Sequence, residues 1–513
     1  MSGSISVPGY PSSNRVPGVW AVIDASKANT GTLNQRALLL GQMTSTGTAI
    51  AGQPVIVNGI GDAQAQFGPG SIMASAVERY RALDGYGELW ALPMADAVGA
   101  TAATGTIAFT GTATANGTIP LYVNGHKIQV PVASGDTASV IATSAAAAIN
   151  AWASPGGNPL SVTAAASTGT VTLTARNKGT LGNQGTILLS FAGTSAGEGT
   201  PGSTNVAGVT AVITGFASGA TDPTVATALA NLPDQPFDFI CCPYNDTTSL
   251  DAIKAFLSDA SGRWNWSSEK FGHCFTAKHG TFSARTTWGT GRNDQHVTAI
   301  GAYGSPSPDW HWAIDSTAVH AVSLRADPSL PVGGLGGGAA LRVMAPSVAN
   351  RDLFSQRNTL LYDGVSTYVV DQDGTVRIER SITTYQTNAG GAPDNSYLDT
   401  CVPFQLMAYI RSLRTLLQSQ FNQVKLVADG SRIPVGASMV TSQTIKFSVI
   451  AHYKAIAETG TPDVPAGLVQ QPDVFAKTVQ AQNAGNGVVR LLLPIMLANQ
   501  LYDIAMNVQF TRP

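Results

Sequence analysis

The glycine run Gly333-Gly334-Leu335-Gly336-Gly337-Gly338 is the stretch most like a phosphate cradle. A dinucleotide loop needs glycines at its first, third and sixth positions, after a strand and at the start of a helix, so that backbone N–H groups can close on a pyrophosphate. Counted from Gly334, the sixth position is Ala339, and no strand pattern precedes the run. The surrounding 328–342, PSLPVGGLGGGAALR, therefore reads as a flexible connector. No Gly-Lys-[Ser/Thr] occurs, so no P-loop is expected. His273, His279, His296, His311 and His320 could act as general bases, but none has a local partner motif. No nucleophile elbow is expected, which leaves a hydrolase only a Ser/His/Asp set assembled in space. Asp371, Asp373 and Glu379 hint at calcium, yet Asp371-Gln372-Asp373-Gly374 fits a turn and lacks an EF-hand's loop. Trp264, Trp266, Trp288, Trp310 and Trp312 lie near Arg263, Arg285 and Arg292, a mixture that can stack nucleic acid. With a formal net charge of −2, packing at a core or interface is their expected role. No catalytic, metal or cofactor residue is expected.

The elements around these residues form an α/β pattern. Short apolar strands are predicted at Trp20–Ile23, Ala37–Leu40, Pro54–Val57 and 88–93. Residues 58–68, NGIGDAQAQFG, read as a turn leading to a helix over Ile72–Leu83 capped by Ser71. After residue 221 the alternation resumes. Helices are predicted at 224–232, 250–258 and 314–324, between strands at 237–242, 273–277 and 296–300. Strands alternating with helices predict a doubly wound parallel sheet.

Between these halves, from about Asp96 to Ala220, the chain turns to Thr, Ala, Gly, Ser and Val. Strand patterns separated by Gly and Asn turns predict an inserted β-rich module, with a hairpin at Asn124-Gly125 and one helix after Thr137 as cap. Further on, Lys425–Val427 and Thr444–Tyr453 read as strands, the latter from the alternation of Ile445, Phe447 and Val449. A loose Pro-rich stretch, 460–487, precedes two terminal strands.

The stretch Asp363–Phe421 organises the chain. Val365, Thr367 and Val369, then Val376 and Ile378, alternate on either side of the turn signal Asp373-Gly374. After a polar loop, Leu406, Ile410, Leu413, Leu417 and Phe421 share one helical face, with Arg411, Arg414 and Gln418 on the other. The order DGV-x-T, DGTVRIERSITTY, spacer and long helix resembles the core of contractile phage tail sheath proteins of the Mu-like type. The strings PGVWAVID and DGYGELWALPM strengthen that resemblance, which covers roughly 1–95 and 221–513.

Composition agrees with a chain built to polymerise. Charged residues are 12 % of the chain, against a usual share of about 25 %. Cys241, Cys242, Cys274 and Cys401 show no metal spacing and read as small buried hydrophobes. The N-terminus has no basic-then-apolar signal pattern, and the longest apolar run, Leu491–Ala498, is short of the ~20 residues of a membrane span. A protein made in the cytoplasm, without membrane insertion, is expected.

The expected fold is α/β, α+β overall, and the resemblance makes its core subtilisin-like. The expected division is an N-terminal arm, 1–23, and a core of 24–95 with 221–345. The inserted outer module, 96–220, a C-terminal α+β domain, 346–487, and a C-terminal β arm, 488–513, complete it. What the resemblance implies is a structural subunit, not an enzyme, forming hexameric discs stacked helically around a tail tube protein and meeting baseplate and tail terminator proteins. Contraction would drive the tube through a bacterial envelope, with the virion tail as the destination. Val7, Val16 and Val19 are the expected N-arm contacts, and Ile504, Met506, Val508 and Phe510 the C-arm contacts. Arg411 and Arg414 are expected to face the tube, and 24–34 and 460–487 to act as linkers. An R-type bacteriocin or secretion sheath shares this physics; a surface adhesin or a subtilisin-like hydrolase are the other classes.

Overall fold

The structure, a computed structural model, describes residues 35–232 and 234–512. The described chain forms two units: Gln35–Ile410 with the segment from Leu497 onward, and Arg411–Met496. Val7, Val16, Val19, the Trp20–Ile23 strand and the 24–34 linker lie outside the described residues.

The first unit begins with β1 (Ala37–Gln42), β2 (Val55–Ile56), α1 (Ile60–Phe67), α2 (Ile72–Arg81) and β3 (Leu89–Met94). Every residue of β1 is buried, as a strand with parallel neighbours on both sides requires. Ser71 caps α2 by accepting a hydrogen bond from Ala74 N. The stretch expected to be a turn contains α1 instead; Asp62 in its first turn accepts from Asn58 N, favouring the helix start.

The inserted module follows, with β4 (Ala102–Gly111), β5 (Gly117–Val123), β6 (His126–Val132), α3 (Ala138–Ala151), β7 (Val162–Ser167), β8 (Thr170–Lys178), β9 (Ile187–Leu189) and β10 (Val209–Ala217). Two sheets, β10-β4-β8-β7 and β6-β5-β9, share a core with α3 built from Ile107, Leu121, Val130, Ile141, Ile149 and Leu173. Asn124 (φ 51°) and Gly125 (φ 80°) both sit in the left-handed region, as the tight hairpin between β5 and β6 demands. Thr137 does not cap α3 through its side chain; only its carbonyl accepts, from Ile141 N. The two ends of the module meet in an antiparallel bridge, Thr101 with Ala220.

The core resumes with α4 (Val225–Ala230), β11 (Phe239–Cys241), α5 (Thr247–Leu257), β12 (His273–Ala277), α6 (Phe282–Thr290), β13 (Val297–Ile300) and α7 (Asp309–Ala326). The central sheet has the order β13-β12-β11-β1-β3-β2, parallel except for the edge pair β2–β3. Helix α7 packs on β11, β12 and β13. Its residues from Asp309 to Ala321 are buried on every side, so it is an internal helix rather than an amphipathic surface one.

A small sheet, β14 (Ala340–Leu341), then α8 (Phe354–Tyr362), β15 (Thr367–Val370) and β16 (Val376–Arg380), and the first half of the helix α9 (Cys401–Phe421), to Ile410, complete this part. Strands β15 and β16 form the expected hairpin, and β14 pairs with β16. The glycine run is not a flexible connector. Gly334 N donates to Glu379 O (3.0 Å), Gly338 N to Ile378 O (2.8 Å) and Ala339 N to Val332 O (2.9 Å). A Cβ on Gly338 would stand 2.0 Å from Val332 O, so the glycine allows the close approach. In the first turns of α9 Cys401, Pro403, Phe404, Gln405, Met407, Ala408 and Tyr409 are buried, while Leu406 and Ile410 of the expected stripe are half-buried; Phe404 stacks on Phe239 with centroids 5.0 Å apart.

The second unit holds β17 (Lys425–Leu426), β18 (Met439–Val440), α10 (Ser442–Glu458), α11 (Pro472–Thr478), β19 (Gln480–Asn483) and β20 (Val489–Leu492). The expected strand over 444–453 is helix α10. Thr441 caps it by accepting from Thr444 N, and Val449, His452, Tyr453 and Ile456 make its buried face while Phe447 is exposed. The stretch 460–487 is not loose: Pro472 opens α11, where its missing N–H costs nothing, and β19 pairs with β20.

Candidate assembly surfaces

In open α/β sheets, ligands bind outside the carboxyl ends of the strands where the strand order reverses. Here the chain leaves β1 toward β3 on one side and returns to β11 on the other, so β1 marks that point. Its carboxyl end is filled by the base of the inserted module. Gln42 Nε2 donates to Asp96 Oδ1 (2.9 Å) and Lys178 O (2.6 Å), and Asn177 Nδ2 donates to Met43 O (2.9 Å). The ends of β11 and β12 are closed in the same manner. Asn245 Nδ2 donates to Ala277 O (2.8 Å) and Asp309 Oδ2 (2.9 Å), and His279 N also donates to Asp309 (3.0 Å). Burial works to raise the Asp309 pKa, but His279 and Lys278 hold it below the usual carboxylate value.

The other chemistry-bearing residues are placed as packing. His320 joins Ser381 (2.7 Å) on one side and the Ser316 carbonyl (2.6 Å) on the other. A carbonyl stands where a triad would have a carboxylate, and Ser381 is 3 % exposed. Burial pushes the His320 pKa down to about 4, so the imidazole is neutral. His273 reaches the same polar chain through Thr298 and Thr400. A G-x-S-x-G string does occur, Gly193–Gly197, contrary to the expectation that none would. It forms a 3₁₀ turn, Thr194–Ala196, in place of the strand–turn–helix of a nucleophile elbow. All four cysteines are buried and free, and burial pushes Cys241 and Cys401 up to about 12. Asp371 pairs with Arg377 and Glu379 with Arg357. The tryptophans do not form one cluster: Trp264 stacks on His296, Trp312 meets Tyr368 edge-on, and Trp266 is exposed. Among the described residues, no group of three or more His, Cys, Asp and Glu could hold a metal ion, and no helix is long and apolar enough to cross a membrane.

The expected C-arm residues lie at the surface. Gln405 Nε2 donates to Ala498 O (2.9 Å), Gln500 Nε2 donates to Ser329 O (3.1 Å), and the Arg380 guanidinium lies 4.4 Å above the Tyr502 ring. Beyond this anchor, which no sequence pattern marks, the chain runs on without helix or strand to Arg512. Ile504 is 55 % exposed, Met506 and Val508 80 %, and Phe510 84 %. No backbone group from Ile504 to Phe510 is paired with another described residue. Ile504, Met506, Val508 and Phe510, expected in a terminal strand, thus lie instead in an exposed segment without strand structure, alternating with Ala505, Asn507 and Gln509. Arg411 is half-buried and Arg414 exposed, three positions apart on α9 and so on adjoining turns of one side.

The chain is similar to known proteins in sequence and in fold. The model of the phage tail sheath protein central domain matches residues 218–384. The Mu-like prophage FluMu tail sheath protein of Haemophilus influenzae is 34 % identical over 513 residues, 99 % of each chain. Among solved structures, the sheath tail protein of Listeria innocua is similar at 12 % identity and a TM-score of 0.44, over 91 % of this chain and 92 % of that one. The helical sheath of the anti-feeding prophage in its contracted state is similar at 11 % identity and a TM-score of 0.41, over 98 % and 100 %. On its full-length identity to the prophage protein, this chain belongs to the phage tail sheath proteins, and its function is that of the tail sheath of a contractile phage.

Proposed function

We propose that the chain is a purely structural subunit that polymerises with copies of itself, as hexameric discs in a helix around a tail tube, between baseplate and terminator proteins. The observation that carries this is the C-terminal segment. Alternate apolar side chains and unpaired backbone groups together are what a strand needs in order to add to a sheet edge elsewhere. Ile504, Met506, Val508 and Phe510 are the donated face, and Val7, Val16 and Val19 serve the same purpose at the other end. Strand pairing between copies survives rotation of the subunits when short linkers absorb the change of angle. Contraction then runs downhill from a metastable extended lattice, with no nucleotide consumed.

The finer assignments rest on this reading. The core is a doubly wound, subtilisin-like sheet, an architecture supported by the strand order winding outward both ways from β1. Its division into core, inserted module 96–220, C-terminal domain and arms follows the boundaries given above. Arg411 and Arg414 face the tube, and assembly takes place in the host cytoplasm. The test is negative-stain electron microscopy of the purified chain with and without residues 501–513. Hollow tubes that vanish with the deletion are expected. Tubes that persist would remove the C-arm role, and particles that never polymerise would remove the self-assembly reading.

A further inference from the structure

We propose that the seam between the inserted module and the α/β core is a binding site for a small aromatic anion, a flat apolar body carrying one carboxylate or sulfonate. A cavity of about 380 Å³ opens there between α2, the first turn of α7 and residues 152–161 of the module. That volume lies in the roughly 300–1,000 Å³ range of small-molecule sites. Its wall is a continuous aromatic surface. His126 lies against Trp152 with ring centroids 4.4 Å apart, meets His311 edge-on at 5.8 Å, and His311 in turn packs on Trp310 at 4.0 Å.

Charge selects an anion: Arg79, Arg81 and Arg342 line the cavity against the single acid Glu78. Arg79 is committed to Asp315 (2.8 Å), and Arg81 donates to the carbonyls of Gly87 (2.6 Å) and Val57 (2.7 Å). Arg342, exposed at the cavity, is the guanidinium placed to meet an incoming carboxylate or sulfonate. Burial, and then the charge of Arg79, hold both His126 and His311 below the usual imidazole value, so the two rings stand in the wall as neutral aromatic surfaces. A molecule seated here touches α2 and α7 of the core and the 152–161 loop of the module at once, so binding stiffens the joint between them.

The inference does not depend on the sheath reading. The probes are naphthalene-2-sulfonate, naphthalene-2-carboxylate and the neutral 2-naphthylmethanol, titrated into the full chain by calorimetry and by quenching of tryptophan emission. Saturable one-to-one binding of both anions is expected, with the alcohol about tenfold weaker and Arg342→Gln costing the anions a similar factor. Ser75→Phe, which fills the cavity from α2, is expected to abolish binding. Failure of the anions to saturate the wild-type chain, or equal binding of anion and alcohol unaffected by Arg342→Gln, would overturn the proposal. Both of those readings use proteins whose buried residues are intact.

Discussion

If residues 504–510 are lent as a strand, their two faces must respond differently to the same charge. Consider Val508→Asp and Asn507→Asp. In the subunit both positions are exposed, and neither makes a side-chain contact that holds the fold. Each substitution should therefore change subunit stability by less than about 0.5 kcal/mol. In the lattice the parity decides. Val508 is 80 % exposed in the subunit, so most of its side chain is still available for burial, worth about 1.5 kcal/mol or more. An aspartate there forfeits that gain and adds the cost of desolvating a carboxylate, several kcal/mol after relaxation. A total near 4 kcal/mol corresponds to about a thousandfold rise in the critical concentration for assembly. Asn507 points to the opposite side of a strand, and its replacement should move that concentration less than about tenfold. The assay is pelleting of polymer across a concentration series, with thermal unfolding of the dilute subunit as the control. Equal effects at 507 and 508 would refute the strand geometry, and no effect at 508 would refute the donated arm.

Other consequences can be checked on the folded subunit. Arg285, 1 % exposed, donates to both carboxylate oxygens of Asp352 and to Gly280 O and Gly301 O. Asp352→Ala should cost about 3–5 kcal/mol in urea unfolding, whereas the paired Arg285→Met with Asp352→Leu should cost much less. His320 is neutral in the fold with a pKa of about 4, below its value of about 6.5 in the unfolded chain. The unfolded chain therefore takes up the proton first, and stability falls from about pH 6.5 toward pH 4, by about 2 kcal/mol at pH 5 from this residue alone. His320→Gln should flatten the stability–pH slope by about one proton over that window. Gly338→Ala should lower stability by more than about 2 kcal/mol, while Gly334→Ala, where a Cβ meets nothing within 4 Å, should be nearly silent in the same thermal assay.

Where a local signal had one physical meaning, the chain could be read directly. Asn124-Gly125 admits the left-handed pair of a tight hairpin, and Ser71 has a helix N–H in reach; both do what their chemistry dictates. The stretch 444–453 carries two signals at once. Ile445, Phe447 and Val449 alternate like a strand, but Val449, Tyr453 and Ile456 also repeat like a helix. Burial chose the second set and left Phe447 in solvent, a tertiary choice that β-propensity cannot report. The glycine run 333–338 is ambiguous in sequence because flexibility and close approach select the same residue. Only the 2.0 Å that a Cβ on Gly338 would leave to Val332 O tells them apart. The alternation at 504–510 predicts a strand, yet the segment forms neither helix nor strand, since no described residue offers it a pairing edge. The aromatic cavity was not legible, since His126, Trp152, Trp310 and His311 come from distant parts of the chain.

The bridge between Thr101 and Ala220 has a consequence for how such a chain can change over time. Two strands that meet at one point form a doorway: whatever hangs beyond it enters and leaves the core at almost the same place. A module of different length or sequence can replace residues 102–219 without moving β3 or α4, because the gap to be spanned stays that between two paired strands, about 5 Å. Beyond the doorway, Asn158 and Asn177 fasten the module by accepting hydrogen bonds from Gly70 N and Ile72 N at the start of α2. A replacement that kept those two amides would inherit the mounting along with the position.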